Sequence, residues 1–162
     1  MITCDCLKLG VSDEIARQGH WIRLHDNEWL CSDPVAVQAI IDSFDHVARA
    51  RKDAKLRIIE QINAAAMSIE KAYPEAEKKT WPYQRAEIEA WRKDAAAPTP
   101  TIDAIASIIG VTREEQLASV ASKVDQYANF SNFLTGERQR IFALIDASVD
   151  DAEIDGINFG GG

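Results

Sequence analysis

Two long stretches, residues 34–73 and 112–147, repeat apolar side chains at helical spacing. In the first, Val37, Ile41, Phe44 and Ala48 fall at three- and four-residue steps, and Ile58, Ile62, Ala65, Ile69 and Ala72 resume the rhythm in register. That period lines up one face of a helix. Arg51 and Lys55 occupy the two steps between. The 51–55 region is therefore expected to be either an exposed crossing between two contact regions or a bend between shorter helices. In the second stretch Leu117, Val120, Val124, Tyr127, Ser131, Leu134, Arg138, Ile141 and Ile145 follow the spacing of a coiled coil. Ser131 and Arg138 interrupt this seam and Phe130 and Phe133 widen it, which suits a small bundle at least as well as a free coiled coil.

Local signals mark the ends of these elements. Asp33-Pro34 starts a helix, because the carboxylate caps free N–H groups and proline is pre-set for the first helical position. Pro74 ends it at Tyr73. After the polar turn at Glu75, Glu77, Lys78 and Lys79, Thr80-Trp81-Pro82 is expected to open a fresh helix capped by Thr80 and running to Lys93; a kink within one helix is the alternative. The alanines and prolines near 95–100 read as a linker. Thr101 to Ile109 then form a short helix closed by Gly110, and Thr112 with Glu115 makes a capping box.

The N-terminal region has a different rhythm. Trp21-Ile22-Arg23-Leu24 and Glu28-Trp29-Leu30-Cys31 flank His25-Asp26-Asn27, which predicts a β-hairpin with a polar turn. A lone hairpin is marginal in water. It is expected to pack on a helix, to extend a sheet with residues such as Ile2 to Leu9, or to pair with a partner chain, with Trp21 and Trp29 as anchors. At the other end, Asp150, Asp151, Glu153 and Asp155 precede Ile157, Phe159 and three glycines with no basic residue among them. Alone this tail should be flexible, or dock as an extended arm through Ile154, Ile157 and Phe159. The organisation is thus a hairpin docking region at 1–33, a helical domain at 34–147 and an acidic, Gly-ended tail at 148–162. The fold class is mainly α: an elongated helical hairpin or small bundle of long helices with a small N-terminal β-hairpin.

Composition narrows the functions. A formal net charge of −8 over 162 residues repels a phosphate backbone, so nucleic acid is not an expected partner. The one basic cluster, Arg49, Arg51, Lys52, Lys55 and Arg57, reads as a solvated, salt-bridged helix face. No run approaches the roughly 20 apolar residues needed to cross a bilayer, so no membrane partner is expected. The N-terminus lacks a basic segment followed by an apolar core, which predicts residence in a cytoplasm at first. Cys4, Cys6 and Cys31 are odd in number and read as reduced thiols. A zinc set joining them to His20 or His25 is disfavoured, because C-x-C is tighter than the usual ligand spacing.

Candidates for catalysis are thin. His20, His25 and His46 sit in no recognisable catalytic or metal signature, and the only glycine cluster ends the sequence without a following helix to receive an anion. Glu75/Glu77 and Glu114/Glu115 are more simply charges that complement helix N-termini. No catalytic residue, cofactor or metal ligand is expected. The candidate protein-interaction residues are Trp21, Trp29, Trp81, Trp91, Leu134, Ile141, Ile157 and Phe159.

The order of these features resembles small tail accessory proteins encoded near the tail-fibre genes of tailed bacteriophages and prophages. The resemblance rests on Trp29 to Asp33 with Val35-Ala36-Val37, on Thr80-Trp81-Pro82 with Glu87 to Trp91, and on Thr99-Pro100-Thr101-Ile102-Asp103-Ala104 leading into the final helix. It covers residues 21–147. It implies a non-enzymatic component of the virion tail, made in the host cytoplasm, that connects tail-fibre or baseplate proteins; an assembly chaperone absent from the mature particle is the alternative. Its implied partners are other tail or tail-fibre proteins, with self-association as an open option.

Overall fold

The structure is a computed structural model that describes residues 10–26 and 28–160. The described residues are mainly helical with a small antiparallel β-hairpin near the N-terminus. The chain divides into two compact units, one formed by Met1–Ile59 with Arg140–Gly162 and the other by Glu60–Gln139. These units cut across the expected division at 33 and 147, because hairpin, early helices and C-terminal segment fall in one of them.

The first unit begins with α1 (Val11–Arg17), an element that the sequence patterns do not announce. It is two turns long and has one pair of apolar residues, Val11 and Ile15, spaced four apart and fully buried. They form a core with Val37, Ile40 and Ile41, and Ile22, Trp29, Cys31 and Phe44 pack against it. The hairpin therefore rests on helices, one of its three expected supports. A sheet extension through residues 2–9 lies outside the described residues. Strands β1 (Ile22–His25) and β2 (Glu28–Cys31) pair with Ile22 opposite Cys31 and Leu24 opposite Trp29. The turn places Asp26 at φ 48, a left-handed angle that a short polar side chain tolerates. Asn27, the other expected turn residue, is outside the described residues.

Helix α2 (Pro34–Ser43) starts as expected: the Asp33 carboxylate accepts hydrogen bonds from the Val35 and Ala36 N–H groups at 2.9 and 3.1 Å. The bend falls earlier than expected. Phe44 leaves the helical region at φ −75, ψ 117, and α3 (His46–Glu70) then runs unbroken through Arg51 and Lys55. Two side chains account for the shift. Phe44 packs against the first core, and the Asp45 carboxylate caps the new helix by accepting from the Ala48 N–H at 2.8 Å. Restarting the helix changes its phase, so Ala48 faces out while Ala54 and Ile58 are buried.

The second unit holds the rest of α3, then α4 (Glu75–Lys78), α5 (Trp81–Lys93), α6 (Pro100–Ile109) and the body of α7 (Arg113–Ala147). Its core is Ile88, Ile102, Leu117 and Val120, with Trp91, Ala121 and Val124 against it. Thr80 does not cap α5. It keeps helical angles, and its hydroxyl donates to the Glu77 carbonyl and accepts from Gln84, both at 2.7 Å. A fresh helix does open at Trp81 with Pro82 in its first turn, as expected, but without a side-chain cap from Thr80.

Residues 95–100, expected as a linker, are held from both sides. Glu87 on α5 receives the Thr101 and Ile102 N–H groups at 2.9 and 3.0 Å, so one helix supplies the N-terminal cap of another. Arg113 donates to the Ala97 carbonyl at 3.0 Å and to Asp103 at 3.1 Å, and buried Thr99 donates to the same Asp103 oxygen. Downstream, Gly110 sits at φ 75 as the left-handed end of α6. The capping box then closes: Glu115 N–H donates to Thr112 Oγ1 at 3.2 Å and Thr112 N–H to the Glu115 carboxylate at 2.9 Å.

Candidate interaction surfaces

The eight side chains expected to meet partners do not share one surface. Trp21 is half-exposed on the outer side of the hairpin, with the Arg23 guanidinium 5.1 Å over its ring. Trp29, on the other face of the strand pair, packs into the first core. Trp81 packs edge-on against Tyr73, with ring centroids 5.2 Å apart, and lies 6.0 Å from the half-exposed ring of Tyr127. Trp91 packs against the second core. Leu134 and Ile141 correct the expectation most clearly, being only 7% and 1% exposed. Both lie on the inward stripe of α7 and serve the interior. Ile157 and Phe159 are half-buried beside α8 (Asp151–Gly156), a helical turn and a half where an extended arm was expected.

Other apolar groups do face outward. Ile108 is 83% and Ile109 56% exposed, and Val111 follows them past the αL turn of Gly110. Ile102 and Ala106, one turn apart, already fill the buried stripe of α6, and consecutive residues of a helix cannot share it. A run of three apolar residues broken by one glycine at a helix end was the available signal. Tyr83 and Phe133 are also exposed. Contiguous exposed apolar groups at the end of a helix are the kind of feature that protein contacts cover.

No protein-family model, curated protein or solved structure matches this chain.

The basic cluster of α3 is more than a solvated face. Arg49 pairs with Asp53 at 2.7 Å, as an ordinary surface pair four residues apart. Three of the others reach across the chain: Arg51 donates twice to the Ser148 carbonyl, at 2.8 and 3.2 Å, and Lys55 binds Asp146 at 2.6 Å. The Arg57 guanidinium donates to the carbonyls of Ile154, Asp155 and Ile157 at 3.2 to 3.3 Å. An open cleft of ≈ 390 Å³ beside Arg51, Lys52, Lys55 and Asp146 has mixed charge.

Among the described residues no three His, Cys, Asp or Glu side chains cluster with metal-binding geometry, and no helix is long and apolar enough to cross a membrane. Cys4 and Cys6 lie outside the described residues. Cys31 packs against the first core, and His20 Nδ1 lies 3.2 Å from Ser32 Oγ. His46 stacks edge-on to Phe44 at the bend.

The shifted carboxylates are structural. Glu14 is drawn down to about 2, chiefly by the hydrogen bond from Arg17 and then that from Gln18. Asp33 is lowered by the Ala36 and Val35 N–H groups that it caps, and Glu115 by the backbone and hydroxyl of Thr112. A carboxylate with a depressed folded pKa contributes stability that is present above its unfolded value and lost as pH falls through the folded one. Those unfolded values are 4.5 for glutamate and 3.8 for aspartate. For these three groups the melting temperature is expected to be level from neutral pH to about 5. It should then decline progressively toward pH 2, as calorimetry on a pH series would show. A decline beginning above pH 6 would assign acid sensitivity to other groups.

Proposed function

We propose that this chain is a non-enzymatic structural protein of a bacteriophage tail, joining tail-fibre or baseplate components. The observation that carries the reading is the exposed apolar end of α6, Ile108, Ile109 and Val111, held on a helix whose start is pinned by Glu87. An interaction surface on a rigid element costs little ordering entropy when a partner arrives. The tail-protein resemblance supports the context. Its motif residues Glu87, Thr101 and Ile102 are the groups that meet at the start of α6.

Mass spectrometry of purified virions is expected to find the chain at a fixed copy number. Its absence from intact particles would overturn the structural role. An assembly chaperone would instead raise the soluble yield of co-expressed fibre protein and be missing from finished particles. Replacing Ile108 and Ile109 together by serine should leave the melting temperature within about 2 °C of the parent, because both side chains are more exposed than buried. The same change should lower incorporation into particles at least several-fold, scored by immunoblot of purified virions. Undiminished incorporation would remove this surface from the proposal.

A further inference from the structure

The open cleft on α3 is lined by Ala48, Arg51, Lys52, Lys55 and Leu56, with Asp146 of α7 completing it. Those five positions of α3 recur at three- and four-residue spacing, so they share one face of the helix. Ala54 and Ile58 take a different side into the interior, and this face is left to solvent: Ala48 is exposed and Leu56 is 51% exposed. Its charge is uneven, with three cations against a single carboxylate. Lys55 holds Asp146 at 2.6 Å and lies 5.4 Å over the Phe142 ring, and Arg51 donates to the Ser148 carbonyl. Lys52 is exposed, and its ammonium makes no ion pair among the described residues. In a chain of net charge −8 this is a positive spot with an apolar side chain at its centre.

A small molecule in so open a cleft would keep much of its surface in water, whereas small-ligand sites bury most of it. A macromolecular surface is the better fit. Exposed apolar groups ringed by charge match the anatomy of a protein contact, with its apolar centre and polar rim. A phosphate backbone would be repelled by the net charge and would gain nothing from covering Ala48 and Leu56. The cleft also has the shape of a groove. Arg51 meets Ser148 and Lys55 meets Asp146, so α3 and α7 run antiparallel beside it. We propose that this face of α3 receives an acidic amphipathic helix of a partner protein, whose apolar side chains cover Ala48 and Leu56 and whose carboxylates meet Lys52 and its neighbours. Apolar anchors one turn apart are the usual reading of a helix laid in a groove. The face lies in the first unit and the exposed end of α6 in the second, so neither proposal rests on the other.

Selection from displayed random peptides tests it. The immobilised full-length chain is offered peptides of about 16 residues, long enough for roughly four helical turns. Enriched sequences are expected to carry carboxylates flanking apolar residues at helical spacing. Their affinity for the full-length chain, read by fluorescence anisotropy, should fall about tenfold in Lys52→Glu and at least about tenfold in Leu56→Asp, and should weaken as salt rises. Lys52→Arg keeps the charge and should bind as the parent does, a comparison with Lys52→Glu that stands even if Leu56→Asp fails to fold. Circular dichroism checks the fold of each variant. Failure to enrich any peptide, enrichment of peptides without carboxylates, or equal binding by parent and Lys52→Glu would each overturn the proposal. Single-stranded DNA of about 20 nucleotides is the second probe. Binding of this strand that is lost in Lys52→Glu, with no peptide enriched, would give the face to a phosphate backbone instead.

Discussion

Replacing Leu134 by glutamate is expected to remove at least about 4 kcal/mol of stability. Leu134 is 7% exposed on the inward stripe of α7. The change forfeits about 2 kcal/mol of apolar burial and forces a carboxylate either to stay buried or to prise the helix from its neighbours. Small domains have only about 5–15 kcal/mol in total, so the variant should unfold at a much lower urea concentration or be recovered insoluble. The neighbouring position supplies the control. Phe133 is 57% exposed, and Phe133→Glu should change stability by no more than about 0.5 kcal/mol. Urea titrations followed by circular dichroism compare the two. Equal behaviour would mean that the inward stripe of α7 is misplaced by a residue.

The second large effect is expected from Glu87→Ala, at about 2–3 kcal/mol. This carboxylate accepts two backbone N–H groups at the start of α6, and its removal leaves both part-buried donors without an acceptor. Hydrogen bonds to a charged group are worth about 1.5–3 kcal/mol, and a stranded donor adds its desolvation cost. Glu87→Gln keeps an acceptor and loses the charge, so it should fall about midway. Urea midpoints test the magnitudes, and hydrogen exchange tests the place. Faster exchange should be concentrated at α6, with Ile102 losing its anchor in the second core. A uniform change across the chain would point to some other role for Glu87.

Glu87 also illustrates which features are legible from sequence. Asp33-Pro34, Gly110 and the Thr112–Glu115 box each place both partners of an interaction within four residues, so short-range stereochemistry announces them. All three occur as expected. The hairpin is legible for the same reason. Glu87 caps residues 14 and 15 positions away, and nothing about an isolated glutamate in a helix signals that it will do so. Arg51 and Arg57 are less legible still. Their acceptors are main-chain carbonyls 97 to 100 residues away, and every residue carries such a group. A basic patch in sequence therefore looks like a solvated face until the chain brings a carbonyl-rich helix end to it.

The interaction surface divides in the same way. Periodicity identifies Leu134 and Ile141 as members of an apolar stripe, but a stripe serves the interior or a partner according to what the fold lays over it. The fold covers both. Ile108 and Ile109 are apolar neighbours whose exposure follows from Ile102 and Ala106 having taken the buried side of α6. The first helix is not legible in the sequence because two buried residues on two turns are too few to establish a period.

What the sequence determines by itself is a mainly α chain with a small N-terminal hairpin, and the ends of its helices wherever a cap lies within one turn. Backbone sterics and local hydrogen bonds decide these features, and they need no distant partner. Only the tertiary structure decides the bend at Phe44, the cap of α6 by Glu87, and the docking of the acidic C-terminal segment onto Arg51 and Arg57. Each of those depends on groups far apart in the chain. Their free energy is realised only once the cores of Val37 and Ile41, and of Ile88 and Ile102, have excluded water.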